Sequence, residues 1–341
     1  MIGATADFRE ILQFSPGLGK LISNFTHKEL FKIASEMQDW ELFMFFAKEL
    51  DEDDQKDENG FSPLHYAALQ GHHASWVITE LFSIVKDKNP RNNEGVTPLH
   101  ILAANGCHLD FFNLILHEVD DKNPMDENGF TPLHYAADKG HLDMFRHILT
   151  ILGKSILPVS TIPVQFKDWP IVLSRMTPLH LAAMNGHFPI VKYLAILLED
   201  DLKDINPSQG EGLTVLHLAA FHGHIEIVSF YTQRLEDVNP MGNGSWNCRT
   251  PLHLAACEGH LDVVEHLCDK LRDKNPCDDA GMTPLHEASK KGRLHVVKYL
   301  VQHLADKEPK CGGYPFKDKT PLDLAKHYNH SNVTSFLKQF A

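Results

Sequence analysis

The sequence predicts an all-α protein built from one short helical unit repeated along the chain. Three observations predict it. An eleven-residue signature recurs from Ser62 onward at steps close to a common length. Each copy carries the local signals of helix, turn, helix and extended loop. The composition, 43% hydrophobic and 23% charged, is that of an ordinary folded chain.

Self-similarity at a fixed period is the mark of a repeat architecture. The copies read SPLHYAALQGH from Ser62, TPLHILAANGC from Thr97, TPLHYAADKGH from Thr131 and TPLHLAAMNGH from Thr177. They continue as TVLHLAAFHGH from Thr214, TPLHLAACEGH from Thr250, TPLHEASKKGR from Thr283 and TPLDLAKHYNH from Thr320. Their starts are separated by 35, 34, 46, 37, 36, 33 and 37 residues. A degenerate copy precedes them from Glu29, with Ile33-Ala34-Ser35 in the place of Leu-Ala-Ala.

Each element of a unit has a local cause. Thr offers its side-chain oxygen to the free N–H groups of a first helix. Pro follows at the first helical position, where its missing N–H is harmless. The small Ala pair lets a second helix approach closely. Gly closes the short helix because it enters the left-handed region without a Cβ penalty, and Asn329 takes that place in the last copy. The second helix follows as spaced apolar residues, such as Leu261, Val264, Leu267 and Cys268. DKNP, DINP or DVNP then stops it, as at Asp87–Pro90, Asp121–Pro124 and Asp273–Pro276, because Pro forces the preceding residue into extended geometry. A polar turn such as Met125–Phe130 leads to the next Thr.

These residues closely resemble the ankyrin repeat. The resemblance covers all but the first 28 residues and implies antiparallel helix pairs stacked into a curved solenoid with β-hairpin-like finger loops. Neighbouring units supply each other's core. The chain then divides into an N-terminal extension or cap over 1–28, a degenerate first repeat over 29–61, and seven repeats over 62–319. A capping repeat fills 320–341. An enlarged loop over 153–175 stretches the Thr131 unit.

The 23 histidines raise the question of catalysis or metal binding, the usual work of that residue near neutral pH. The repeat accounts for most of them. Seven stand at the fourth signature place, from His65 to His286, and others follow the Gly. A catalytic group is needed once per site, not once per unit. The resemblance implies that the fourth-place His ties one loop to the next. His222 with His224, and Cys257, His260, His266 and Cys268, are residue types that bind zinc, but their spacing matches no structural zinc motif. Ser15–Leu21 lacks the first Gly and the Ser or Thr of a phosphate loop. Asp51–Gly60 lacks the Gly and Glu of a calcium loop. No catalytic residue, metal or cofactor is expected.

The formal net charge of −13 argues against binding nucleic acid or an anionic membrane surface. Residues 1–60 hold six basic and thirteen acidic side chains, whereas 281–341 hold ten basic and five acidic. No signal peptide or membrane span is read, and the six cysteines form no disulfide pattern. The expectation is a cytoplasmic, possibly nuclear, protein, monomeric because both ends look capped.

The resemblance implies a non-enzymatic module that holds a protein partner across its concave face. An adaptor or targeting subunit of an enzyme complex, such as a ubiquitin ligase or phosphatase assembly, is the alternative, and a metal-dependent enzyme ranks below it. The two places before the Gly are free to vary with the partner. They supply the candidate contacts Lys139, Met184, Asn185, Phe221, His222, Glu258, Lys290 and Lys291. Met184 and Phe221, in consecutive units, form an exposed apolar pair suited to a hot spot. Fingers add Phe130, Trp246 in the Gly-rich Met241–Thr250, and Trp169 in the enlarged loop.

Overall fold

The computed structural model describes residues 27–49, 56–70, 75–106, 109–153, 164–165, 172–173, 175–200, 206–209, 212–242, 248–313 and 315–340. The described residues form helices joined in pairs. They are α1 (His27–Glu36), α2 (Trp40–Glu49), α3 (Pro63–Gln70), α4 (Ser75–Ile84), α5 (Pro98–Asn105), α6 (Leu109–Glu118), α7 (Pro132–Lys139) and α8 (Leu142–Leu152). After β1 (Val164–Gln165) and β2 (Val172–Leu173) come α9 (Pro178–Met184), α10 (Phe188–Asp200), α11 (Val215–Phe221) and α12 (Ile225–Thr232). The chain ends in α13 (Pro251–Glu258), α14 (Leu261–Lys270), α15 (Pro284–Lys290), α16 (Leu294–His303), α17 (Pro321–His327) and α18 (Ser331–Leu337).

The first helices begin where the Thr-Pro signature places them. Thr97, Thr177, Thr214, Thr250, Thr283 and Thr320 are extended N-caps, each in a reciprocal capping box with the residue three places on. The helices stop at a left-handed residue: Gly106 at φ 64°, Gly259 at φ 92°, and Asn329 at φ 62° in the last unit. A left-handed residue turns the chain back so that the second helix can run antiparallel to the first.

Two compact units divide the chain: residues 1–136 with 143–156, and 137–142 with 157–341. In the first, α1 packs on α2 and α3, α3 on α5, and α2 on α4. Its core includes Phe43, Leu64, Leu81, Leu99, Phe112 and Phe145. Ala34 and Ser35 of the degenerate copy are buried in the manner of the Ala pair.

The second unit is a two-layer stack. Its first helices α9, α11, α13, α15 and α17 pack side by side in order, and its second helices α10, α12, α14, α16 and α18 form a parallel row behind them. The Ala pairs at 182–183, 219–220 and 255–256 are fully buried, which lets the two rows approach closely. On α14 the buried residues are Val263, Val264, Leu267 and Cys268. Val264, Leu267 and Cys268 are thus buried as the spacing read in the sequence has them, while Leu261 is half-buried and Val263 takes its place in the core. The enlarged loop contributes one small antiparallel ladder, Val164 opposite Leu173 and Gln165 opposite Val172.

Among the described residues, fingers between pairs close by backbone hydrogen bonds or an isolated bridge, Ser208 opposite Thr214. Asp57 N–H donates to Phe61 O, Asn92 to Val96 O, Asp126 to Phe130 O and Asp278 to Met282 O. The same residue's side-chain Oδ1 accepts two further N–H groups inside the turn, as Asp126 does from Asn128 and Phe130 at 2.9 and 2.8 Å. The Asn of the breaker also has a bonding role. Asn89, Asn206 and Asn239 each accept, through Oδ1, from the N–H of the second residue of the following first helix, Leu99, Leu216 and Leu252.

Candidate partner-binding surface

The fourth-place histidines are fully buried and spent on internal hydrogen bonds. In the Thr250 unit the backbone N–H of Thr250 donates to His253 Nδ1 at 3.2 Å, and His253 Nε2 lies 3.0 Å from the Met282 carbonyl of the next finger. Nδ1 accepts, so Nε2 carries the proton and donates. The same arrangement links His65 to Val96 O, His100 to Phe130 O, His180 to Pro207 O, His217 to Arg249 O and His286 to Lys319 O. Burial pushes these six rings from 6.5 down to about 4, against a smaller opposing pull from the carbonyl each one bonds. They are therefore neutral at pH 7. In the last unit Asp323 replaces the His and accepts from Thr320 N–H at 3.2 Å, with no link onward.

The histidines after the Gly form a second ladder that was not legible in the sequence. Each donates Nε2–H backward to a carbonyl at the end of the preceding first helix: His187 to Asp138 O, His224 to Met184 O, His260 to Phe221 O and His330 to Lys290 O. Arg293 does this with Nε to Cys257 O. Such carbonyls have no partner within their own helix.

Two of the zinc-type residues singled out above belong to these ladders, and others are engaged elsewhere. His224 and His260 hold carbonyls, His266 bonds Thr232 Oγ1 at 2.7 Å, and Cys268 is core. Burial raises the thiols of Cys257 to about 12 and Cys268 to about 11, so neither is a ready thiolate ligand. Among the described residues no three His, Cys, Asp or Glu side chains are grouped to hold a metal ion. Ser15–Leu21 and residues 51–55 of the acidic run Asp51–Gly60 lie outside the described residues.

The candidate contacts fall into different places. Met184 is 7% exposed, which corrects the expected exposed Met–Phe pair. It stands three residues after Leu181 and four after His180, both buried, and that spacing puts it on their face of α9. Phe221 and His222 are half-buried, with ring centroids 5.1 Å apart. Phe130 is half-buried, its ring stacked on His134. Asn185 and Lys139 are exposed but occupied: Asn185 Nδ2 donates to Asp138 Oδ1 at 2.8 Å, and Lys139 pairs with Asp138 Oδ2 at 2.9 Å. Glu258 is paired with Arg293 at 3.2 Å. Lys291 is exposed. Trp169 and Trp246 lie outside the described residues.

Two features of this surface were missed in the sequence. The first is a charge triad. In the Ser62 and Thr131 units a Tyr at the fifth signature place donates its hydroxyl to the finger Asp, Tyr66 to Asp57 Oδ2 at 2.8 Å and Tyr135 to Asp126 Oδ2 at 2.9 Å. The Thr283 unit has Glu287 at that place, opposite Asp278. Both carboxylates are almost wholly buried. Arg249, from the preceding finger, pairs with Glu287 Oε1 and places Nε 3.8 Å from Asp278 Oδ2. Burial raises the Asp278 carboxyl, and Arg249 opposes that rise. The signal was a charged residue in a signature place otherwise held by Tyr, Ile or Leu.

The second feature is Lys290. Its Nζ lies 5.1 Å from the ring centroid of Phe316 and 5.8 Å from that of Tyr328, a cation–π arrangement. Phe316 is packed against the buried group Met282, Cys311 and Leu324.

A family model described as ankyrin repeats (three copies) matches residues 76–158, 165–242, 232–311 and 271–340. No curated protein matches the chain. No described helix is long and apolar enough to cross a membrane.

Proposed function

The chain belongs to the ankyrin-repeat family, and from that premise we propose that it holds a protein partner across the face made by its first helices and finger tips, without performing chemistry. Ankyrin repeats are generally protein–protein interaction modules.

One observation carries the reading. In the second unit the signature residues are consumed by the scaffold, while the places just before the Gly differ from copy to copy. Reading along the stack, the second of these places holds Asn185, His222, Glu258, Lys291 and Tyr328. This row sits at the ends of α9, α11, α13, α15 and α17, held in register by the two histidine ladders. A row of differing side chains on a fixed scaffold supports specific recognition without a moving part. The five cysteines described as free thiols support a reducing compartment, and we place the protein, as a single copy, in the cytoplasm or nucleus.

The test is an affinity capture from cell extract with mass spectrometry, repeated with purified components. The intact chain is compared with an Asn185→Ala, Lys291→Ala, Tyr328→Ala triple variant of unchanged circular dichroism. Binding of a purified partner by the intact chain, weakened at least tenfold in the variant, supports the reading. Equal binding by both moves the contact off this face.

A further inference from the structure

We infer that the end of this face around Lys290 is a docking site for a carboxylate-rich segment of a partner protein; this rests on the protein-binding reading above.

The argument begins with charge. The chain as a whole carries −13, yet 281–341 holds ten basic and five acidic residues. The acidic count overstates what solvent meets there. Glu287 is 1% exposed and paired with Arg249. Asp323 accepts from the Thr320 cap and lies 4.0 Å from Lys326. That leaves Asp306, Glu308 and Asp318 as the exposed acids of the stretch.

Geometry gathers a basic subset at one place. His286 and Lys290 are one helical turn apart on α15, and His286 Nε2 bonds the Lys319 carbonyl of the last finger at 3.2 Å. The same finger brings Phe316 against Lys290. The exposed Lys317 and Lys319 follow that ring in sequence with the exposed Asp318 between them, and the exposed Lys291 follows Lys290. Among the described residues Lys291, Lys317 and Lys319 form no ion pair. Lys290 is held over two rings fixed by the core and by the end of α17, so less freedom is lost when an anion binds. Glu258, the preceding acid in the row, is neutralised by Arg293.

A carboxylate-rich peptide fits this surface better than nucleic acid does. The strong negative charge elsewhere on the chain repels a long polyanion, whereas a short acidic segment can be confined to the basic end.

The experiment uses the full-length chain and a fluorescently labelled oligoglutamate peptide, followed by anisotropy at low and at physiological salt. Single-stranded DNA of similar charge is the competitor. The test variants are a Lys291→Gln, Lys317→Gln, Lys319→Gln triple and, separately, Lys290→Met, which keeps apolar packing over the rings and removes the charge. A Lys298→Gln, Lys307→Gln, Lys338→Gln triple removes equal charge from α16, the stretch that follows it and the end of α18. The expected result is saturable peptide binding that weakens with salt and falls about tenfold in the first triple. Binding should also fall in Lys290→Met and hold in the second triple. Absence of saturable binding, equal loss in both triples, or equally effective competition by DNA overturns the proposal. If the partner identified by affinity capture still binds the first triple unchanged, the acidic site falls while the protein-binding reading stands.

Discussion

At the scale of single residues, the Gly that ends each first helix has two reasons to be there. Gly223 sits at φ 76°, and a Cβ built on it would lie 2.4 Å from His260 Nδ1 of the next unit. Gly140 meets His187, Gly186 meets His224 and Gly292 meets His330 in the same way. The left-handed turn was legible in the sequence; the ring laid over it was not, because the His belongs to the following unit. Gly153 is the internal control, at φ 84° with nothing within 4 Å among the described residues. Gly153→Ala is expected to cost about 1 kcal/mol, the backbone strain alone. Gly223→Ala is expected to cost about 2 kcal/mol or more, because strain and collision add. Urea unfolding midpoints of the two variants, at unchanged slope, check this; equal losses would mean that the ring moves aside freely.

The Arg249 triad makes a second prediction at this scale. Removing one partner of a buried ion pair leaves an uncompensated charge, a loss of roughly 3–5 kcal/mol. Arg249→Met should therefore unfold the chain at much lower urea. Adding Glu287→Tyr should recover most of that loss, because the new hydroxyl would face Asp278 as Tyr66 faces Asp57. Failure of the second substitution to rescue the first would show that the triad does not stand in for the tyrosine pair.

At the scale of elements, helix and turn were readable because their causes are local. Thr, Pro and Gly act on the backbone within a few residues, and the caps at Thr97 through Thr320 stand where the signature puts them. The DKNP stretch was readable only as a stop. Its Asn has a further job across about ten residues of chain, accepting the N–H of Leu99, Leu216 or Leu252. Each Asn caps the next first helix from outside, beside the Thr that caps it from within. Asn239→Ala should leave a helix-start N–H with weaker satisfaction and cost about 1 kcal/mol. Hydrogen exchange at the Leu252 amide should rise relative to Leu216, whose Asn206 is intact. No change in that amide would mean that water replaces the side chain at no penalty.

At the scale of the whole molecule, six of the seven buried fourth-place histidines, His65, His100, His180, His217, His253 and His286, make stability depend on pH. Each is near 6.5 in the unfolded chain and about 4 when folded. Above pH 6.5 both states are neutral at these rings and full stability is present. Below it the unfolded chain takes up protons first, so stability falls as the pH drops from 6.5 toward 4. A difference of this size is worth roughly 3 kcal/mol per ring, and six rings together rival the whole stability of an ordinary domain. Cooperative acid unfolding is therefore expected above pH 4, before most carboxylates have titrated. Circular dichroism against pH checks it. A transition moved to lower pH in a His217→Gln, His253→Gln double variant would confirm the histidines as its source, while an unmoved one would assign it to other groups.

The sequence by itself determined the family, the helix pairs, their caps and the structural use of most histidines, because a signature repeated in register reports local backbone chemistry many times over. The row Asn185, His222, Glu258, Lys291 and Tyr328 was also legible as a set of variable places. The tertiary structure decided how each of those side chains is employed. Met184 went inward, Asn185 and Glu258 were taken by neighbours, and Lys290 was seated on two rings. The last three outcomes depend on residues of a neighbouring unit, as in Arg293 with Glu258, 35 positions along the chain. No local pattern encodes which side chain the adjoining unit will lay across a given place.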